Sequence, residues 1–225
     1  MAQRPANVVP LQRRQAPLRV VPEQGAPHSE WDNESLMLAH GQGDEAAFEE
    51  LVNRHERGVL NYMFRMVQNR HVAEELTQEV FIALVRNGTR YQPTAKFTTY
   101  LYTIASNIVS KEWARQKRRP RFMSLQFWQR GEDEDDAFGV IDTASDARAN
   151  VVKQYTRGEI SEAVNAALKH LPDHQREAFV LRRFQDLSYE EIADVTDVPV
   201  GTVKSRVVRA ERALRPHLER FREYM

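Results

Sequence analysis

Apolar residues in this chain recur at steps of three and four in several separate stretches. Nowhere do they alternate singly for long enough to read as a strand. Phe48, Leu51, Val52, His55, Val59, Leu60, Met63 and Val67 mark one face of an amphipathic helix, with Asp44 placed to cap it and Glu45 in its first turn. A second stripe runs Val72, Leu76, Val80, Leu84, widened by Ala73, Phe81 and Ala83; Glu74, Glu75, Gln78 and Glu79 occupy the other side. The chain breaks at Asn87-Gly88 and Gln92-Pro93-Thr94. A third pattern then runs through Phe97, Tyr100, Leu101, Ile104, Ala105, Ile108 and Val109 into a basic stretch ending at Arg119. Residues 31–119 therefore read as one all-helical domain.

Period is absent on both sides of that domain. Pro5, Pro10, Pro17, Pro22 and Pro27 punctuate residues 1–30, which read as a disordered leader. Residues 120–156 carry the acidic block Glu132, Asp133, Glu134, Asp135 and Asp136 between Gly131 and Gly139, which reads as a solvated, flexible linker. The helical period returns at Ile160, Ala163, Val164, Ala167, Leu168 and Leu171, stops at Pro172, and resumes through Ala178, Phe179, Leu181 and Phe184. Two more helices follow, over 189–196 and 199–218, so residues 157–225 form a second domain. The fold class is all-α: two small helical domains joined by a flexible acidic linker.

Composition narrows the chemistry. The 225 residues include no cysteine, which removes disulfides, thiolate metal sites and thiol catalysis. Of seven histidines only His170 and His174 have a metal-like spacing, and Pro172 between them breaks the helix which that spacing needs. No phosphate loop, nucleophile elbow or carboxylate pair points to an enzyme, and no cofactor is expected. No run reaches the ~18 apolar residues of a membrane span, so a cytoplasmic chain without membrane insertion is expected.

Lys+Arg 32 balance Asp+Glu 32, but the charge is segregated. Lys111, Arg115, Lys117, Arg118, Arg119 and Arg121 stand against Glu112 alone; Lys204, Arg206, Arg209, Arg212 and Arg215 stand against Glu211. Two basic runs on two helical domains suit a polyanion held at two places. The second run lies in a helix-turn-helix pattern. Ser188 with Glu191 makes a capping box, Thr196-Asp197 the turn, and Pro199 the start of a second helix. Val203 and Val207 face inward on that helix, while Thr202, Lys204, Ser205, Arg206 and Arg209 supply polar positions able to enter a major groove. Val208 can touch a thymine methyl.

These residues resemble a known family. Residues 171–178 (LPDHQREA), 187–193 (LSYEEIA) and 200–206 (VGTVKSR) are similar to domain 4 of bacterial sigma factors, in the extracytoplasmic-function (ECF) branch of the sigma-70 family. Upstream, 44–51 (DEAAFEEL), 73–81 (AEELTQEVF) and 97–107 (FTTYLYTIASN) look like that family's domain 2. The resemblance implies an alternative promoter-specificity subunit of RNA polymerase for a stress- or signal-responsive set of genes. By that analogy Glu74, Glu75, Leu76, Gln78, Glu79 and Phe81 dock on the clamp helices of the largest polymerase subunit, with the flap as a further partner. Phe97, Tyr100, Asn107, Lys111, Arg115, Lys117, Arg118 and Arg119 would read and open the –10 element, a flipped base entering a pocket near Asn107 and Lys111. Arg182, Thr202, Lys204, Ser205, Arg206, Val208 and Arg209 would read the –35 element as duplex. An anti-sigma factor is the implied regulatory partner.

The chain departs from the family pattern at Tyr100, where Trp is common, at Lys111, where an acid is common, and at Asp197, where Gly is frequent. An ammonium donates where a carboxylate accepts, so Lys111 bears on the –10 base preference. The rival reading is a stand-alone helix-turn-helix regulator, which would bind its duplex without polymerase.

Overall fold

A computed structural model of the chain describes residues 27–118 and 151–219, with residues 151–158 as helical backbone only. The Pro-rich leader through residue 26, the acidic block and Arg119 lie outside the described residues. The order of elements is a single 3-10 turn at His28–Glu30, α1 (Asn33–Gly41), α2 (Glu45–Val67), α3 (Arg70–Asn87), a second 3-10 turn at Gly88–Arg90, α4 (Phe97–Arg118), α5 (Val151–Leu168), α6 (Asp173–Phe184), α7 (Tyr189–Thr196) and α8 (Val200–Leu218). Among the described residues there is no strand.

Local chemistry sets the helix boundaries. Asp32, Asp44 and Asn69 each accept an amide hydrogen from the residue three positions on, at 2.8, 3.0 and 2.9 Å, and so start α1, α2 and α3. Gln68 ends α2 in the left-handed region at φ 54°, where its amide donates back to the Phe64 carbonyl. The α1 C-terminus then meets the second 3-10 turn so closely that a Cβ on Gly41 would lie 2.6 Å from the Gly88 carbonyl oxygen. Helix α5 begins at Val151, within the stretch expected to be linker. No proline interrupts 151–168, and the isolated Gly158 costs only ~1 kcal/mol in a helix interior.

Two cores result. Leu36 and Met37 of α1, Leu51, Tyr62, Met63 and Met66 of α2, Val80 and Leu84 of α3, and Leu101, Ala105 and Val109 of α4 are buried together. Leu168, Leu171, Leu181, Ile192, Val203, Val207 and Leu214 form the second. The cores are not separate in space: α6 packs on α2, and α7 packs on α4.

His55 lies on the apolar face of α2, its ring 5.2 Å from that of Phe97, and its Nε2 is buried without a hydrogen-bond partner. Burial, reinforced by the Arg54 guanidinium, lowers its pKa to about 4. The unfolded chain therefore takes up this proton near pH 6.5 while the folded chain does not. The stabilisation is complete above about pH 6.5 and is lost as pH falls toward 4, by up to about 3 kcal/mol. Urea unfolding at pH 7 and pH 4.5 is expected to show this loss in the parent chain and a smaller one in His55→Leu. An equal loss in both would remove His55 as the cause.

Candidate nucleic-acid interface

The C-terminal unit has the geometry of a DNA reader. Ser188 accepts the Glu191 amide at 3.1 Å while Glu191 accepts the Ser188 amide at 2.7 Å, which closes the capping box of α7. Asp197 ends α7 with φ 51° and ψ 48°, the left-handed geometry that Asp tolerates better than most residues. Val203 and Val207 fix one face of α8 in the core and leave Lys204, Val208 and Arg209 exposed, Val208 at 59%. Thr202, Ser205 and Arg206 are half-buried beside them, and the Ser205 hydroxyl donates to the Thr202 carbonyl at 2.8 Å. Arg182 comes from α6, donating to the Leu187 carbonyl at 3.1 Å.

The first domain offers a more occluded surface. Asn107, Lys111, Arg115, Lys117 and Arg118 are exposed along α4, and Tyr100 is half-buried. Phe97 is a core residue, only 1% exposed, and presents no face to a base. Tyr91, in the turn before α4, is buried as well at 7%, its ring 5.1 Å from Tyr100 and 6.4 Å from Phe97, so of these three rings only Tyr100 is partly open to solvent. Burial raises the pKa of Tyr91 and Tyr100 alike, so both rings stay neutral. Arg115 is held by Glu112 at 2.5 Å and Lys117 by Asp173 at 3.1 Å, so the basic run is partly neutralised from within.

On α3, Glu75, Gln78 and Glu79 are exposed and Phe81 is half-buried. Glu74 pairs with Arg70 at 3.0 Å and Glu75 lies 3.4 Å from His71. Leu76 is 5% exposed and belongs to the core. The acidic face continues into two exposed apolar residues, Ile82 at 48% and Val85 at 49%. Both lie off the core stripe, Ile82 three residues after Glu79 and Val85 three after Ile82.

Comparison with known proteins decides the family. The Sigma-70 region 2 family model matches residues 51–119, and the Sigma-70, region 4 family model matches residues 161–214. The RNA polymerase sigma-H factor of Pseudomonas aeruginosa is 34% identical over 77% of this chain and 86% of its own length. The chain belongs to the sigma-70 family, in its ECF group. The ECF RNA polymerase sigma factor SigW of Bacillus subtilis is 30% identical over 79% of this chain and 91% of that protein. The ECF RNA polymerase sigma-E factor of Escherichia coli K12 is 32% identical over 77% and 87%. Among solved structures, RpoE in complex with the anti-sigma factor NepR, from Bartonella quintana, shares the fold at TM-score 0.53 with 22% identity, over 76% of this chain and 96% of that one. CnrH, in complex with the cytosolic domain of CnrY, shares it at TM-score 0.54 with 20% identity, over 83% and 97%.

In this sigma chain the two regions are packed together by polar groups. Glu177 of α6, 6% exposed, accepts from the Tyr62 hydroxyl at 3.1 Å and from the Ser106 hydroxyl at 2.6 Å. Burial raises the Glu177 pKa; the two hydroxyls and the nearby Arg206 oppose that rise. The adjacent Arg176 donates to the Met66 carbonyl at 2.7 Å across the junction, and to the Leu168 and Leu171 carbonyls at 3.0 and 3.1 Å. The Arg65 guanidinium lies 3.9 Å over the Phe184 ring, and the Tyr102 hydroxyl meets Gln185. Lys96, in the turn before α4, pairs with Glu191 of α7 at 2.8 Å. Region 4 thus sits against α4 and the turn that carries Tyr91.

The junction gives a direct expectation. Glu177→Ala leaves two buried hydroxyls without an acceptor, at a cost of about 1–3 kcal/mol, while Glu177→Gln keeps an acceptor and removes the buried charge. Small-angle scattering is expected to show a larger radius of gyration for Glu177→Ala than for the parent chain, and none of that expansion for Glu177→Gln. Equal radii for all three would show that Glu177 does not hold the junction.

Proposed function

We propose that this chain is the promoter-specificity subunit of a bacterial RNA polymerase, with region 2 acting at the –10 element and region 4 at the –35 element. The observation that carries the reading is the pairing of both sigma regions, in order, with an exposed recognition helix on the second. The α3 face of Glu75, Gln78 and Glu79, extended by the apolar pair Ile82 and Val85, docks on core polymerase, a polar rim beside an apolar patch. Tyr100, backed by the buried ring of Tyr91, stacks on bases exposed by strand separation. Lys111, Arg115, Lys117 and Arg118 follow the phosphates, and Asn107 with Lys111 lies beside the flipped base. Lys204, Val208 and Arg209 enter the –35 major groove.

The packed arrangement is the resting state of this subunit. Elements at –35 and –10 lie about 25 base pairs apart, or about 85 Å at ~3.4 Å per pair. Here α7 and α4 are in contact, so the regions must separate before both elements are engaged. Residues 119–150, fully extended at ~3.3 Å each, reach about 105 Å, which is sufficient. The chain contributes no catalysis of its own and works in the cytoplasm, beside polymerase and DNA. The relatives solved with NepR and CnrY support an anti-sigma partner for this chain as well.

Run-off transcription with purified core polymerase on a pooled promoter library is expected to give promoter-specific transcripts only when the chain is added. Sequence-specific duplex binding without any core binding would favour a stand-alone regulator instead. Glu75→Arg with Glu79→Arg is expected to abolish co-elution with core polymerase while far-ultraviolet circular dichroism stays unchanged; normal co-elution would move the docking face elsewhere. Arg209→Ala is expected to reduce discrimination among –35 variants by about 1–3 kcal/mol. Unchanged discrimination would take Arg209 out of the reader.

A further inference from the structure

Arg182 and Arg183 are neighbours on α6 with different fates. Arg183 is neutralised by Glu211 of α8 at 2.5 Å. Arg182 forms no ion pair among the described residues. Its guanidinium instead lies 5.2 Å over the ring of Tyr189, and the Lys204 ammonium lies 5.7 Å over the same ring. Both distances fall within the ~6 Å at which a ring quadrupole attracts a cation. One aromatic ring therefore lies within reach of two cations from two different helices, and neither cation has an ion pair among the described residues.

The surroundings hold that ring still. Tyr189 is the first residue of α7, directly after Ser188, so the capping box fixes its backbone. The side chain is half-buried against the core, and Arg182 is tethered a second time by the Leu187 carbonyl. Two like charges near one ring repel each other, which offsets part of the ring's attraction for each. The arrangement makes sense when an anion completes it.

We propose that Tyr189 is a positioning residue for DNA binding, its ring setting Arg182 and Lys204 as a two-cation cradle for a phosphate of the –35 duplex. This rests on the assignment of α8 as the –35 reader and deepens it. Tyr189 acts through the two cations: its ring restrains each of them and reduces the rotamer freedom lost when the phosphate arrives. Phenylalanine supplies the same ring face, and leucine supplies similar bulk without the quadrupole.

The test uses the full chain and an end-labelled duplex of mixed sequence, read by fluorescence anisotropy across a range of salt concentrations. Arg182→Gln with Lys204→Gln is expected to weaken binding and lower the slope of log K against log salt by about two. Tyr189→Leu is expected to weaken binding about two- to fivefold, Tyr189→Phe to bind as the parent does, and Tyr189→Leu to add nothing in the Arg182→Gln, Lys204→Gln background. Thermal unfolding of each variant reports on folding separately. Parent-like binding by Tyr189→Leu, or an equal loss in the doubly substituted background, would overturn the positioning role while leaving the reader intact. Parent-like binding by Arg182→Gln with Lys204→Gln would overturn the reader assignment at these positions, and the cradle with it.

Discussion

A carboxylate buried between two domains, with hydroxyls but no cation bonded to it, is the interaction on which this structure turns. Glu177 lies in α6 of the second domain, and both of its hydrogen-bond donors, Tyr62 and Ser106, lie in the first. Burying the charge is costly, and two neutral donors return part of that cost. The contact is therefore specific without being strong. It favours one docking of region 4 on region 2, because any other would leave the carboxylate or the hydroxyls unpaired. Arg176 adds a second constraint of the same kind through the Met66 carbonyl. A junction of this sort selects a geometry while leaving it reversible.

The ion pairs at its edge carry the same logic. Asp173 holds Lys117 of α4 and Glu191 holds Lys96 in the turn before it, both on the surface of the first domain. Exposed pairs of this kind contribute about 0–1 kcal/mol each. Where Lys117 meets a promoter phosphate, as proposed above, Asp173 occupies that place in the closed chain, and polyanionic DNA can displace it. On that proposal, closure and promoter binding compete for Lys117.

Most of the helices, the caps at Asp44 and Ser188 and the helix-turn-helix were legible in the sequence because each depends on local chemistry; α1 and the first turns of α5 were not. Ser188 with Glu191, the left-handed Asp197 and the Val203/Val207 stripe have signatures a few residues long, and the structure follows them. The junction was not legible. Glu177 is separated from Ser106 by 71 positions and from Tyr62 by 115, and each would pass for an ordinary residue of its own helix. Phe97 shows the limit of periodicity in the opposite direction: an aromatic at the head of a helix reads as a stacking surface until its neighbours Tyr91 and His55 are placed around it. Tyr91 had no signal of its own, since it lies in a turn. Ile82 and Val85 were missed because an exposed apolar residue at helical spacing looks the same as a buried one.

The claim that joins these observations is that the free chain is closed and that polymerase opens it. The absence of cysteine allows two to be introduced alone, at the exposed positions Glu56 on α2 and Glu190 on α7, and to carry a donor and an acceptor dye. Single-molecule energy transfer would then report the separation of the two regions in the free chain, with core polymerase, and with core polymerase and promoter DNA. The account predicts a single high-transfer state for the free chain and a low-transfer state once core polymerase is bound. High transfer retained in a transcriptionally active complex, or low transfer already in the free chain, would contradict it.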